Sequence, residues 1–272
     1  MAIKVAIIGL GIMGRRMLSH MRRHNNFEPD YLWDPNQSAC QRAKLLDSKS
    51  YIMDSASDAI SKADLVYLAC PPAVREPYAL EAAAAGKALF LEKPFGVNID
   101  DSARMMGHLK SFNVPVAVNF TQASGIALTD LLASKKRGDM GDLLGVDIVV
   151  TYPDWPRLWQ RDADWLRFRA EGGMTREVIS HFLFFSERVL GPLSLLSAHT
   201  TYPEDLSLCE TAVLARLVSE KKQEVSILAT VGGVQPDRQE LTVKGTKTSR
   251  RVNNFHMDSI SDGGNFTSLR EP

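Results

Sequence analysis

The sequence is short of cysteine, of net charge and of long apolar runs, and each shortage removes a class of protein. Three cysteines in 272 residues, Cys40, Cys70 and Cys209, lie far apart and share no metal-ligand spacing. That pattern argues against a disulfide scaffold or a metal cluster and fits buried, reduced thiols. Lysine plus arginine and aspartate plus glutamate both number 32, so no net field draws the chain to nucleic acid or to an anionic membrane. The basic clusters Arg22-Arg23-His24 and Lys135-Lys136-Arg137 lack interleaved aromatics and read as solvated helix faces. No apolar stretch approaches the ~20 residues of a membrane span. The apolar N-terminal stretch is broken by Gly9, Gly11 and Gly14 and followed by Arg15-Arg16, unlike a secretory leader. There is no internal repeat and no low-complexity linker. The expectation is a soluble, cytoplasmic protein with neither a nucleic-acid nor a membrane partner.

What is present is alternation. "IKVAIIG" is a β-branched run suited to a buried parallel strand. Gly9, Gly11 and Gly14 follow, and a helical pattern starts at Met13 and runs through Met17, Leu18 and Met21. In such a turn the first glycine permits a tight bend, the second lets main chain approach a pyrophosphate, and the third lets helix pack on strand. Helix amides then face the phosphates. "DYLWD" predicts a second strand ending at Asp34, 20 residues beyond Gly14. An acid there can accept from the adenosine ribose hydroxyls and repels a 2′-phosphate, favouring NAD over NADP. It can equally start a turn with Pro35 and Asn36.

Further strands are expected at "ADLVYLAC", "KALFLEKP" and "VPVAVNF". Helices are expected at "AVREPYALEAAAAG", closed by Gly86, and at "DDSARMMGHLKSFN", capped by Asp100. Strands separated by helices of this length predict a doubly wound parallel Rossmann sheet over residues 1–120. Beyond Phe120 a helix-like stretch, "SGIALTDLLASKKRG", leads to the long strand "DLLGVDIVVTY". A helix around Val178 to Leu190 is followed by β-rich runs with short polar turns. Residues 121–272 therefore read as a second domain, α+β, with a large, mostly antiparallel sheet.

"IGLGIMG" resembles the signature of β-hydroxyacid dehydrogenases, but that family's second half is helical, whereas here it reads as strands. "LEKPF", Leu91 to Phe95, taken with the glycine turn, resembles the Gfo/Idh/MocA family. "ADLVYLACPP" with "ALEAAAAGKALFLEKP", and "WQRDADWLRFRAEGG" with "MTREVISH", resemble further parts of that family across nearly the whole chain. The resemblance implies an NAD(P)-dependent dehydrogenase or reductase acting on a sugar, cyclitol or related polyol. It implies that Lys93 and His181 serve the substrate oxygen, with Glu177 four residues before His181 on the same helix face. Cofactor contacts are implied at Gly9, Gly11, Ile12, Met13, Gly14, Asp34, Cys70, Pro71, Glu92, Lys93 and Asn119, with NAD as cofactor and no metal.

Three positions depart from the family pattern. Glu177 stands for the usual aspartate, Ile179 for a frequent glycine and Arg75 for a common histidine. A longer Glu177 and a charged Arg75 would reshape the pocket. Relatives often exceed 300 residues through a terminal segment returning to the first domain, so a shortened carboxyl end is expected here. A homodimer or homotetramer through the second sheet is implied as well.

Plainer readings stand beside these. His181 lies among Val178, Ile179, Phe182, Leu183, Phe184 and Phe185 and suits a core histidine. Lys93 suits a solvated strand end, Glu92 a structural contact and Asn119 a cap. Pro94 can carry a cis bond. Trp155, Trp159 and Trp165 suit either a sugar-sized pocket or a domain interface. A nucleotide-binding sensor without catalysis is the rival in function.

Overall fold

The computed structural model describes residues 2–270, which form two compact units divided between Asn119 and Phe120. In the first, β1 (Ile3–Ile8), α1 (Ile12–Arg22), β2 (Phe27–Trp33), α2 (Gln37–Leu46), β3 (Tyr51–Ile52) and α3 (Ala56–Lys62) are followed by β4 (Leu65–Leu68), α4 (Arg75–Ala84), β5 (Ala88–Glu92), α5 (Ile99–Ser111) and β6 (Val116–Asn119). All strands run parallel in the order β3-β2-β1-β4-β5-β6. The order reverses between β1 and β4, which opens a crevice beyond their carboxyl ends.

Burial explains why β1 sits centrally. Val5, Ala6, Ile7 and Ile8 are all fully buried, and alternation sends them to opposite faces. Val5 and Ile7 pack with Leu18 and Ala43 of α1 and α2, whereas Ala6 and Ile8 pack with Ile60, Ala79 and Met105 of α3, α4 and α5. Two expectations are corrected here. Helix α5 starts earlier than the aspartates suggest: Asn98 is its cap, with Oδ1 accepting from the amides of Asp100 (2.8 Å) and Asp101. Asp100 therefore occupies the first turn, where its charge suits the helix dipole. The edge strand β3, two residues long, was not foreseen.

The second unit comprises α6 (Ile126–Arg137), β7 (Leu143–Tyr152), α7 (Ser180–Leu190), β8 (Leu193–Thr201), β9 (Ala212–Ser219), β10 (Glu224–Val231), β11 (Arg238–Gly245), β12 (Ser249–Asn253), β13 (Met257–Ser261) and β14 (Thr267–Ser268). Its eight strands lie in the order β14-β13-β12-β11-β7-β10-β9-β8. The pairing is antiparallel except between β7 and β10, which run parallel. One sheet face buries Val146, Ile148, Val150, Val225, Ile227 and Leu241 against Phe182, Phe185 and Val189 of α7. The outer face leaves Leu195, Leu214 and Leu228 exposed. Among the described residues no helix is long and apolar enough to cross a membrane.

Candidate active site

The glycine turn is built as its spacing demands. Gly9 adopts φ +94°, and a Cβ there would lie 2.6 Å from the Cys70 amide nitrogen, so β1 and the end of β4 approach as main chain alone. A Cβ on Gly14 would lie 1.9 Å from the Gly9 carbonyl oxygen, which fixes α1 against the turn. Gly11 is different: a Cβ there would meet nothing within 4 Å. Gly11 is also the N-cap of α1 and supplies no side-chain cap. The first-turn amides, including Ile12 and Met13, thus border open space, as a bound pyrophosphate requires. The residues present fit a dinucleotide.

Asp34 directly follows β2, which ends one residue earlier than expected, with its carboxylate drawn toward the glycine turn. Oδ2 accepts from the Leu10 amide at 2.7 Å and Oδ1 from the Asn36 amide at 2.8 Å. The second contact is the turn expected from Asp34-Pro35-Asn36. The first joins the acid to the glycine loop, and each oxygen keeps a further lone pair.

Beyond β4, Cys70 is buried and Pro71 exposed. Burial pushes the Cys70 thiol up, against the opposing charge of Arg75, so the thiol form dominates near neutrality. At the end of β5, Glu92 is 4% exposed. Its Oε1 accepts from Tyr67 Oη and from Asn119 Nδ2 (2.7 Å), which β6 brings alongside by pairing Asn119 with Glu92. Burial first, and then the Glu92 charge, push the Tyr67 hydroxyl far up and keep it a donor. Asn119 therefore holds Glu92 rather than capping a helix. Lys93 follows, half-buried, with a cis bond to Pro94.

Arg75 does not take the place expected of it. At 1% exposure it is enclosed, and its guanidinium donates to the main-chain carbonyls of Cys70, Glu92 and Pro94. It acts on the main chain at the ends of β4 and β5.

In the second unit a π-helical turn, Thr175–Ile179, precedes α7. The wider turn differs from the uniform helix expected there; such turns are rare and cluster at functional sites. Glu177 lies within it and His181 in the first turn of α7, both buried. The imidazole is edge-on to Phe120 (centroids 5.6 Å, 83°) and to Phe255 (5.4 Å, 70°). Phe120 stacks on Phe184 and Phe255 on Phe182. Phe255 and Asn254 adopt φ +65° and +48°, a conformation uncommon for a bulky side chain and retained where packing over-determines it.

The glycine pair before the helix has a steric cause. A Cβ on Gly172 would meet the Leu166 carbonyl at 2.3 Å, and one on Gly173, at φ +102°, the Glu210 carboxylate at 2.7 Å. Glu210, 7% exposed, accepts from the Thr175 amide at 2.6 Å and from its hydroxyl. A carboxylate thus anchors the start of the helix that carries His181, where the dipole favours it. Sequence reasoning missed Glu210, Phe120 and Phe255; the Gly173 positive φ was the one local signal. Among the tryptophans, Trp155 is structural, donating to the Leu166 carbonyl at 2.9 Å. Trp159 is 45% exposed, with Arg157 stacked between it and Tyr152; Trp165 is half-buried.

A glycine-lined, uncapped helix start at the switch point of a doubly wound sheet defines a dinucleotide-binding class. Residues 3–120 match the Gfo/Idh/MocA model, described as an oxidoreductase family with an NAD-binding Rossmann fold. The match spans the first unit, which is thus similar to the NAD-binding domain of that family. A dTDP-3,4-didehydro-2,6-dideoxy-α-D-glucose 3-reductase of Streptomyces violaceoruber is 28% identical over 130 residues, 47% of this chain and 36% of that protein. The chain spans about a third of the length of the curated relatives it matches, 36% and 30%. The WlbA dehydrogenase of Bordetella pertussis, solved with NADH and UDP-GlcNAcA, has TM-score 0.83 at 22% identity, covering 100% of this chain and 78% of that one. Scyllo-inositol dehydrogenase of Lactobacillus casei, solved with NAD(H) and scyllo-inositol, has TM-score 0.81 at 16% identity, covering 93% and 76%. At these identities the likeness to solved structures is one of fold.

Proposed function

We propose that the protein is an NAD-dependent dehydrogenase or reductase acting on a hydroxyl or carbonyl carbon of a small polar substrate of the sugar, cyclitol or polyol class. The observation that carries the proposal is the position of Lys93, at the carboxyl end of β5 in the sheet whose switch point bears the open Gly11 turn. Ligands of open α/β sheets bind at that end. The substrate class is supported by relatives named for sugar nucleotides and inositols.

Gly9, Gly11, Ile12, Met13 and Gly14 would hold the pyrophosphate of NAD, Asp34 its ribose, and Cys70, Pro71, Glu92, Lys93 and Asn119 the nicotinamide half. When bound, the nicotinamide accepts or gives the hydride. Lys93 donates a hydrogen bond to the substrate oxygen and stabilises its alkoxide character. His181 takes or returns the hydroxyl proton, a role suited to an imidazole near neutral pH. Glu177 orients His181. The outer face of the second sheet, with Leu195, Leu196, Leu214 and Leu228 between 43% and 63% exposed, would be covered in a homodimer or homotetramer. Sedimentation as a monomer would remove that part.

The test mixes protein with NAD or NADP and a panel of polyols, sugars and hydroxy acids while reduced-nicotinamide absorbance is followed. Turnover with NAD is expected. Nucleotide binding without turnover of any panel member would favour the sensor, and a preference for NADP would contradict the Asp34 role.

A further inference from the structure

Arg75 is an improbable residue for its place. It stands in the first turn of α4, directly after the N-cap Val74, where the helix dipole disfavours a cation. It is also 1% exposed, and burial draws its guanidinium toward the neutral form. Packing alone would be served better by an apolar side chain. What distinguishes Arg75 is where its hydrogen bonds go. Nη2 donates to the Cys70 carbonyl at 2.8 Å, and Nη1 donates to the carbonyls of both Glu92 and Pro94. Glu92 and Pro94 are the two neighbours of Lys93.

We propose that Arg75 is a positioning residue for Lys93, a guanidinium clamp that ties the main-chain carbonyls of the residues before and after this lysine to the end of β4. The side chain of Glu92 is fixed separately by Tyr67 and Asn119, so Arg75 supplies the constraint on the main chain. The planar fork of arginine reaches three carbonyls at once, whereas a lysine ammonium is a single point donor. The consequence for turnover rests on the proposed dehydrogenase reading; the clamp itself does not.

The test uses the full chain with its lysines reductively ¹³C-dimethylated, the Lys93 signal being assigned by its loss in Lys93→Arg. In Arg75→Lys the Lys93 methyl signal is expected to move toward the exposed-lysine position while the other lysine signals stay. In the unmethylated variant kcat is expected to fall roughly 10²-fold, as for a group misplaced by about 1 Å. A second variant, Arg75→Gly, is expected to regain the wild-type Lys93 signal and turnover when ethylguanidinium is added. A Lys93 signal unmoved in Arg75→Lys, or not restored by ethylguanidinium in Arg75→Gly, overturns the clamp whatever the activity. A signal that moves as expected, in a protein whose wild type turns over no panel substrate, supports the clamp and overturns the dehydrogenase reading instead.

Discussion

Lys93 and His181, one in each unit, are fixed by opposite means. Lys93 follows a strand end whose main chain is held by a buried guanidinium and whose neighbour Glu92 is held by a phenol and an amide. His181 sits on a helix between two aromatic rings, with a carboxylate at the helix start. Directional hydrogen bonds hold the main chain beside the first, and aromatic rings flank the second. A directional site fails abruptly when one donor is lost; a packed site loosens by degrees.

The strongest challenge to the idea that the second unit depends on packing is an enclosed ion pair, Arg250 with Asp258, whose side chains are 5% and 0% exposed. Arg250→Met should destabilise the protein by about 3–5 kcal/mol in denaturant unfolding, because it strands a buried carboxylate. Burial already raises the Asp258 pKa despite its partner, so a neutral carboxyl suits the folded state. The deficit of Arg250→Met should therefore be largest near neutrality and shrink as acid protonates Asp258. A pH-independent deficit would contradict this.

Next come the glycines of the first unit. Gly14→Ala drives a Cβ into the Gly9 carbonyl and should cost about 1–3 kcal/mol or more in thermal unfolding. Gly11→Ala meets open space and should leave the melting temperature unchanged while weakening NAD binding in calorimetry. Equal melting losses in the two variants would remove the distinction between a packing glycine and a ligand-facing one.

Phe255→Leu tests graded loosening around His181. At about 0.5–1.5 kcal/mol for an aromatic pair, kcat should fall by no more than about tenfold. A loss as large as that of His181→Ala would make the ring a strict requirement.

The smallest effect belongs to Asp47, whose carboxyl is raised by burial but held lower overall by hydrogen bonds from Ser50, Arg22 and the Lys49 amide. Its contribution is full above the unfolded aspartate value of about 3.9 and is lost as pH falls through the folded value. Asp47→Asn should cost about 1 kcal/mol at pH 7 and nothing in strong acid; a deficit that persists there would be a packing effect.

Sequence reached the features whose chemistry is local. The run from Val5 to Gly14 contains its strand, turn and helix within one segment, and Glu92-Lys93-Pro94 ends a strand recognisable from its own residues. It did not reach features that depend on distant partners. Glu210 anchors Thr175 across 35 positions, Phe255 meets His181 only after the β12–β13 turn closes, and β10 runs parallel to β7 across 8 paired residues with no local mark. Arg75 had the letters of an exposed helix start, and only the loop packing shows why it is buried. Asn98 was overlooked as a cap because the two aspartates after it offered the same chemistry nearby.

The most direct test of the central claim, that Lys93 and His181 act together on one substrate oxygen, is kcat/KM of the Lys93→Met/His181→Ala double variant beside the two singles at saturating NAD. Groups that work as a unit lose their effect together. The double variant should therefore be hardly slower than the worse single, with NAD binding intact in all three. Losses that multiply, or near-normal rates in either single variant, would show that the two residues do not share that oxygen.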